Sequence, residues 1–289
     1  MDKPACPSSF FIHAMTQVYI ADTLPGRYRA VFRDLTTALE RAGVQVGELP
    51  GTRDVWARDY MPVPTPSGRL IQFRYCPDYL RSPKWQRTIT DGQAVAAALG
   101  LPVHPCALVV DGGNIVRHGG RVLMTDKVFR ENAGTTPAKL TGALTEALET
   151  ATITWLPAHP DDFTGHADGL VHLVDEHTAL VNDYRRREPA YWQQLRSALR
   201  QAGIEAVPVP ANPYHNRTYT SAVGEYLNLL RLPQALLVPT YGRAEDEPVL
   251  RLLTQVFPRQ QLYSIPANSL AKDGGVLHCV SWTPKLVGA

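Results

Sequence analysis

Six residues in four short stretches of this chain carry reactive chemistry. They are Asp54 and Asp59 in TRDVWARD (52–59), Asp111 in DGGN (111–114), His166 and Asp168 in DFTGHAD (162–168), and Cys279 in KDGGVLHC (272–279). Brought together, they make an acidic set with one soft nucleophile and a proton carrier, which suits a cation. A guanidinium is planar, permanently charged and carries five donors in a fixed fork, so two carboxylates that each accept paired hydrogen bonds hold it best. Asp59 and Asp168 suit that clamp. The central carbon of a guanidinium is a poor electrophile, because resonance spreads the charge. Attack on it requires a thiolate held close and a proton donor for the departing nitrogen. Cys279 would be the thiolate, its pKa lowered by a bound cation or a protonated imidazole. His166 would protonate leaving ammonia, then act as base on the water that hydrolyses the S-linked intermediate.

Each stretch also has a plain structural reading. D-G-G-N between apolar ALVV and IV reads as a hairpin turn, and His166 with Asp168 reads as a surface loop. Cys279 falls in an apolar strand-like run, where neighbouring residues face opposite sides. His278 therefore points away from Cys279 and has a structural role, while His172 and His177 read as hairpin histidines. Gly274 and Gly275 permit positive φ or close approach of backbone to a ligand. Cys6, Cys76 and Cys106 lie far apart without zinc or CxxC spacing, so they read as reduced, partly buried small hydrophobes.

The elements that must position these residues repeat along the chain. Apolar residues recur at helical spacing in 27–42 (Tyr28, Val31, Leu35, Leu39), 137–149 (Leu140, Leu144, Leu148), and near 85–99, 189–202 and 245–257. Pro137 and Pro189 suit first-turn positions; Gly43, Gly100 and Gly203 suit helix ends. A β-prone piece ending in proline follows each helix. A polar stretch comes next, then a hairpin-like pair such as IVRHGGRVLMT or LVHLVDEHTALVN. NPYHNRTYTSAV is the least distinctive of the five polar stretches. The unit is strand, polar loop, hairpin, helix. TQVYIA near the start precedes the first helix as an orphan strand, and the last unit lacks a helix, so the two ends complete one unit by ring closure. The expectation is one domain over 1–289, a five-bladed α/β propeller whose polar stretches meet at one end of the axis.

Composition narrows the partners. The chain has 29 Lys and Arg against 27 Asp and Glu in 289 residues, with no broad basic face for nucleic acid or a membrane surface. No apolar run approaches the ~20 residues of a membrane span, and the first residues lack a signal-peptide pattern. The expectation is a cytoplasmic protein acting on a small molecule. Whether copies assemble into a homo-oligomer is left open.

TRDVWARDYMPV, DGGNIV, GHADG and GGVLHC, in this order and at these intervals, resemble the agmatine deiminase and bacterial-type peptidylarginine deiminase family of the pentein superfamily. The resemblance implies a guanidine-modifying hydrolase of arginine and polyamine metabolism, with no metal and no organic cofactor. It carries Asp59, His166, Asp168 and Cys279 over as the catalytic set. Trp56 and Asp54 would wall the pocket or orient the substrate, Asp111 would frame it, and Gly275 would lie against it. Thr164 stands where relatives tend to show aspartate, and DGGVLHC where they tend to show GGGNIHC.

The leading reading is therefore hydrolysis of an alkylguanidine, agmatine foremost, to the ureido compound and ammonia. An amidinotransferase, or a hydrolase of free or methylated arginine, is the alternative on the same fold. A metallohydrolase built on His166, Asp168 and His172, and a silent guanidinium binder, are readings from other classes. Specificity would depend on loops near 76–87 and 210–218, where His215 and Arg217 receive no role.

Overall fold

The computed structural model describes residues 16–218 and 220–286, which leaves Cys6 outside the described residues. Five three-stranded sheets build the fold, and each joins an antiparallel pair to a parallel third strand. β1 (Gln17–Ala21) runs parallel to β2 (Gln45–Leu49), with the helix Arg29–Arg41 between them. The hairpin β3 (Val63–Pro64) and β4 (Leu70–Arg74) takes β5 (His104–Val109) as its parallel partner. In the same way β6 (Val116–His118) and β7 (Arg121–Thr125) take β8 (Thr152–Leu156). β9 (Val171–Leu173) and β10 (Thr178–Asn182) take β11 (Glu205–Val209). The last complete set is β12 (Leu230–Arg231), β13 (Ala235–Thr240) and β14 (Gln261–Pro266). β15 (Ser281–Trp282) then pairs antiparallel with β1, Tyr19 opposite Trp282. The orphan strand and the last unit thus complete one sheet, as ring closure requires.

The helices form for the reasons their sequences give. Arg29–Arg41 buries Val31, Leu35, Ala38 and Leu39 on one face. Pro137–Ala147 buries Leu140 and Leu144, and Pro189–Gln201 buries Tyr191, Trp192, Leu195 and Leu199. Each fully buried leucine contributes about 1.5–3 kcal/mol relative to exposure. Proline occupies the first position of the latter two helices. Gly43, Gly100 and Gly203, just past their helix ends, hold φ of 69°, 66° and 71°, where a side chain would be strained.

Two expectations change. The helical pattern near 85–99 is not one helix: a turn at Pro83–Gln86 precedes the helix Gly92–Ala98. The side chain of Asp91 caps the second piece by accepting from the Ala94 amide at 3.1 Å, so the helix begins there. Cys76 is exposed rather than partly buried, while Cys106 is half-buried. Among the described residues no helix is long and apolar enough to cross a membrane.

One apolar cluster contains Val18 and Leu35 from the beginning of the ring and Leu237 and Val249 from its end. The closing seam is therefore core, not surface. Trp282, 1 % exposed, also donates its indole N–H to the Pro62 carbonyl at 2.7 Å, which fixes the last strand against the first polar loop.

Candidate active site

In every unit the polar stretch runs into an antiparallel strand, and a polar residue or the cysteine falls just before that strand. Asp59 precedes β3, Asn114 precedes β6, Asp168 precedes β9, Asn228 precedes β12 and Cys279 precedes β15. Backbone and side-chain bonds stitch these loops together. The amide of Arg58 donates to the Cys279 carbonyl at 3.0 Å, and that of Gly113 to Asp59 Oδ1 at 3.0 Å. Asn114 Oδ1 accepts from the amide and the hydroxyl of Thr125, whose hydroxyl in turn donates to the Gly165 carbonyl at 2.6 Å. Cys279 lies in this turn and not in the strand itself.

Asp54, Trp56, Asp59, His166, Asp168, Gly275 and Cys279 line one cavity of about 790 Å³, a volume typical of small-molecule sites. All seven come from the outer two motifs and the H-x-D pair. Asp111 does not line it. That carboxylate is 1 % exposed and stands behind His166, accepting from Nε2 at 2.9 Å and from Lys127 Nζ at 2.5 Å. Lys127 is itself buried and pairs with Glu131 at 3.0 Å. Asp111 therefore orients the imidazole instead of framing a ligand, and DGGN forms a 3₁₀ turn ahead of β6 rather than the hairpin turn.

His166 sits between Asp111 and Asp59, with Nδ1 3.6 Å from Asp59 Oδ1. Burial alone would push its pKa down, but Asp59 and Asp111 outweigh burial and Lys127 and raise it to about 9. The ring is cationic at neutral pH. Burial lifts Asp59 to about 7, with Asp111 and Asp168 adding repulsion against the relief from His166. Burial likewise lifts Asp54 to about 7. One oxygen of Asp54 accepts from the Trp56 amide at 3.1 Å, and the other is buried without a partner among the described residues. Asp168 behaves oppositely: burial is overcome by His278 and by the positive charges of His166 and Arg58, so its pKa falls below the usual value. Burial, then Asp168 and Asp59, push the Cys279 thiol well above its ordinary range.

Glycine is required at three points. An ideal Cβ on Gly113 would lie 2.6 Å from Asp59 Oδ1 and 2.7 Å from His166 Nδ1. On Gly275 it would lie 2.5 Å from Trp56 Cζ3 and 3.0 Å from Cys279 Cβ. Gly274 holds φ of 105° against Phe163 and the Thr220 carbonyl. The diglycine thus lets an indole lie against the cysteine loop.

Two residues escaped the sequence reading. Asn228 donates through Nδ2 to Cys279 Sγ at 3.0 Å and Asp168 Oδ2 at 3.0 Å, and its Oδ1 accepts the amides of Val276 and Cys279 at 3.1 Å each. Its position before β12 matched that of Asp168 before β9, but NPYHNRTY drew attention upstream. Lys127 carried no signal beyond its proximity to DGGN. The structure also changes the role of His278. It stays off the cavity of Cys279, although both residues lie in a turn rather than a strand, and its Nδ1 lies 2.7 Å from Asp168 Oδ2, so it positions a site carboxylate.

His172 lines a separate cavity from His166, so His166, Asp168 and His172 do not converge. Among the described residues, the group with ligand atoms close enough for a cation is His159, Asp161 and Glu188, on the wall of the main cavity. The loops expected to border the pocket do so through Tyr79, Trp85, Tyr214 and Arg217, while His215 stays off its wall.

Comparison with known proteins agrees with this architecture. An agmatine deiminase of Ectopseudomonas mendocina is 26 % identical over 207 residues, covering 60 % of this chain and 56 % of that protein. The match thus spans less than two thirds of that relative's length. The solved C. jejuni agmatine deiminase superposes with a TM-score of 0.74 at 18 % identity over 94 % of both chains. An amidinotransferase from Microseira wollei superposes at 0.61 and 15 % identity over 94 % of both chains. At such identities the likeness is one of fold, a five-unit α/β propeller. The family model for Porphyromonas-type peptidyl-arginine deiminases matches residues 13–284, nearly the whole chain and all of the loops that build the cavity, and this chain belongs to that family.

Proposed function

We propose that the protein hydrolyses an alkylguanidine to its ureido product and ammonia through a covalent intermediate on Cys279. The observation that carries this reading is the placement of Cys279 and His166 on one cavity together with the carboxylates of Asp54, Asp59 and Asp168. A guanidinium entering there meets Asp59, Asp168 and the free oxygen of Asp54. Its charge offsets the repulsion that keeps Cys279 protonated, so cation entry releases the thiol proton to solvent. The thiolate then bonds to the guanidinium carbon, and the C–N bond to one terminal nitrogen breaks as His166 supplies its proton. Neutral His166 next takes a proton from water, whose oxygen adds to the same carbon. The C–S bond breaks as the added hydroxyl's proton passes to the departing Cys279 sulfur, which restores the thiol, and the urea leaves.

The far wall supports a substrate with a second positive charge. Asp161, Asp162, Glu188 and Glu225 line it. The Glu225 carboxylate has no hydrogen-bond or ion-pair partner among the described residues, and burial, Asp162 and Glu188 lift its pKa to about 8. A terminal ammonium would relieve that strain, which makes agmatine, giving N-carbamoylputrescine, the leading substrate. Arg27 and Arg217 also line the cavity and favour a carboxylate-bearing guanidine as the second reading, by hydrolysis or by amidino transfer to an amine.

A ureido assay with agmatine, free arginine and a blocked peptidyl-arginine, run beside Cys279→Ser, tests both readings. Product from agmatine alone, lost in the variant, is expected. Full turnover by Cys279→Ser would overturn the mechanism, and an amidino adduct of an added amine in the mass spectrum would replace hydrolysis with transfer.

A further inference from the structure

A second cavity, about 140 Å³, opens on the other side of Asp168 and is lined by Arg58, Arg117, His172, Arg231, His278 and Lys285 among others. Its wall carries four permanently cationic side chains against one carboxylate, Asp168. That carboxylate is already committed to His278 and Asn228. Acids outside the wall that act on its cations are also occupied: Asp59, beside Arg58, accepts from the Gly113 amide. Glu149 binds Ser67 and Arg69, Glu176 accepts from the Gly120 amide, and Asp175 from the His177 amide.

The buried donors here lack partners. Among the described residues, every buried side-chain nitrogen without a hydrogen bond belongs to a residue that lines this cavity: Nε of Arg58, Nε and Nη1 of Arg117, and Nε2 of His172. The other partnerless buried atoms are oxygens elsewhere. Native proteins leave few such groups, and convergence of several on one cavity marks a place where a ligand completes the set. Guanidinium forks pair best with planar or tetrahedral oxyanions. Arg231, in contrast, spends Nη1 on the Leu173 and Val174 carbonyls, and one amino group of Arg117 donates to the Leu148 carbonyl. These tethers hold the two guanidiniums in place with donors to spare.

We infer that this cavity binds a small oxyanion of phosphate size between Arg58, Arg117 and Arg231, with His172 donating through Nε2. The cavity volume admits one such group. Water would satisfy the donors but not the charge. The site is distinct from the guanidine cavity, which is acidic, and the two share the wall made by Asp168.

Calorimetric titration of the whole protein with inorganic phosphate, at constant ionic strength set with chloride, tests this. Saturable binding of one phosphate is expected, weakened at least tenfold in Arg117→Gln. Lys285 is exposed at the rim without a partner among the described residues, so Lys285→Glu keeps the fold and should weaken binding as well. No saturable binding to the unaltered protein overturns the inference. Equal affinity in Lys285→Glu and in a folded Arg117→Gln does so too, because it would reveal an adventitious ion only.

Discussion

Asn228 and Cys279 are joined twice: the Asn228 amide nitrogen donates to Sγ at 3.0 Å, and its oxygen accepts the Cys279 backbone N–H at 3.1 Å. One side chain therefore sets both the direction of the sulfur and the turn that carries it, while a third bond ties it to Asp168.

Asn228→Ala should lower kcat about 10²-fold, the scale of an ångström-sized misplacement of a reacting group. KM should change little, because Asp59 and Asp168 remain. Asn228→Asp should be no better, since a carboxylate beside Sγ and Asp168 adds repulsion. Steady-state kinetics checks this, and an alanine variant with ordinary kcat would remove Asn228 from the site.

Gly113→Ala should be nearly inactive although the helix faces are untouched. The new methyl would meet Asp59 Oδ1 and His166 Nδ1 below 3.0 Å, and one of those groups must move. Overpacking of this kind costs about 1–3 kcal/mol of stability, so the variant should fold with a lowered urea midpoint. Activity should fall far more than stability. A variant equally active and equally stable would show that the catalytic loops tolerate displacement.

Much of this architecture was legible because it rests on local rules. Pro137, Pro189, Gly43, Gly100 and Gly203 mark helix boundaries through backbone geometry alone, and the hairpins alternate as strands do. Ring closure followed from the orphan strand at one end and the missing helix at the other. The site was legible where a residue's chemistry is unusual in its surroundings, as with Cys279 or His166. It was not legible where the role depends on burial. Asp111 reads the same whether it faces a ligand or the back of an imidazole, and only the buried Lys127 beside it decides. Asn228 lies in the apolar run EYLNLLRL, where an amide gives no sign of its four bonds. The broken helix near 85–99 turned on a single capping aspartate.

Lys127→Met should be among the most destabilising single changes. Lys127 Nζ pairs with Asp111 and Glu131 inside the core, and these carboxylates hold its pKa above the ordinary value against burial. Removing one partner of a buried ion pair costs about 3–5 kcal/mol. The loss should be seen as a lowered urea midpoint at pH 7, and a midpoint equal to that of the unaltered protein would contradict the pairing.

The rate should fall at alkaline pH through His166. Its pKa near 9 makes the imidazolium the resting form at neutral pH, and the acid that expels ammonia is lost as pH rises past that value. A plot of kcat/KM for agmatine against pH should show a descending limb near pH 9. A limb near the ordinary histidine pKa of about 6.5 would mean that Asp59 and Asp111 do not stabilise the charged ring.

Stability should decline over a lower range, and Glu225 supplies the cleanest test. Its folded pKa of about 8 exceeds the ordinary glutamate value of about 4.3, so the folded protein holds a proton that the unfolded chain releases. The slope of unfolding free energy with pH is then negative between those two values. Asp54 and Asp59, lifted to about 7, act in the same direction. Relative to the unaltered protein, Glu225→Gln should become progressively more stable from about pH 5 to 8, with no further gain above that. If Glu225 also receives a substrate ammonium, the same variant should raise KM for agmatine about tenfold while leaving KM for a neutral alkylguanidine tail unchanged. Urea melts at several pH values read the first effect and paired KM measurements the second. A flat difference in stability across pH 5–8 would show that Glu225 is not held protonated by burial and its acidic neighbours.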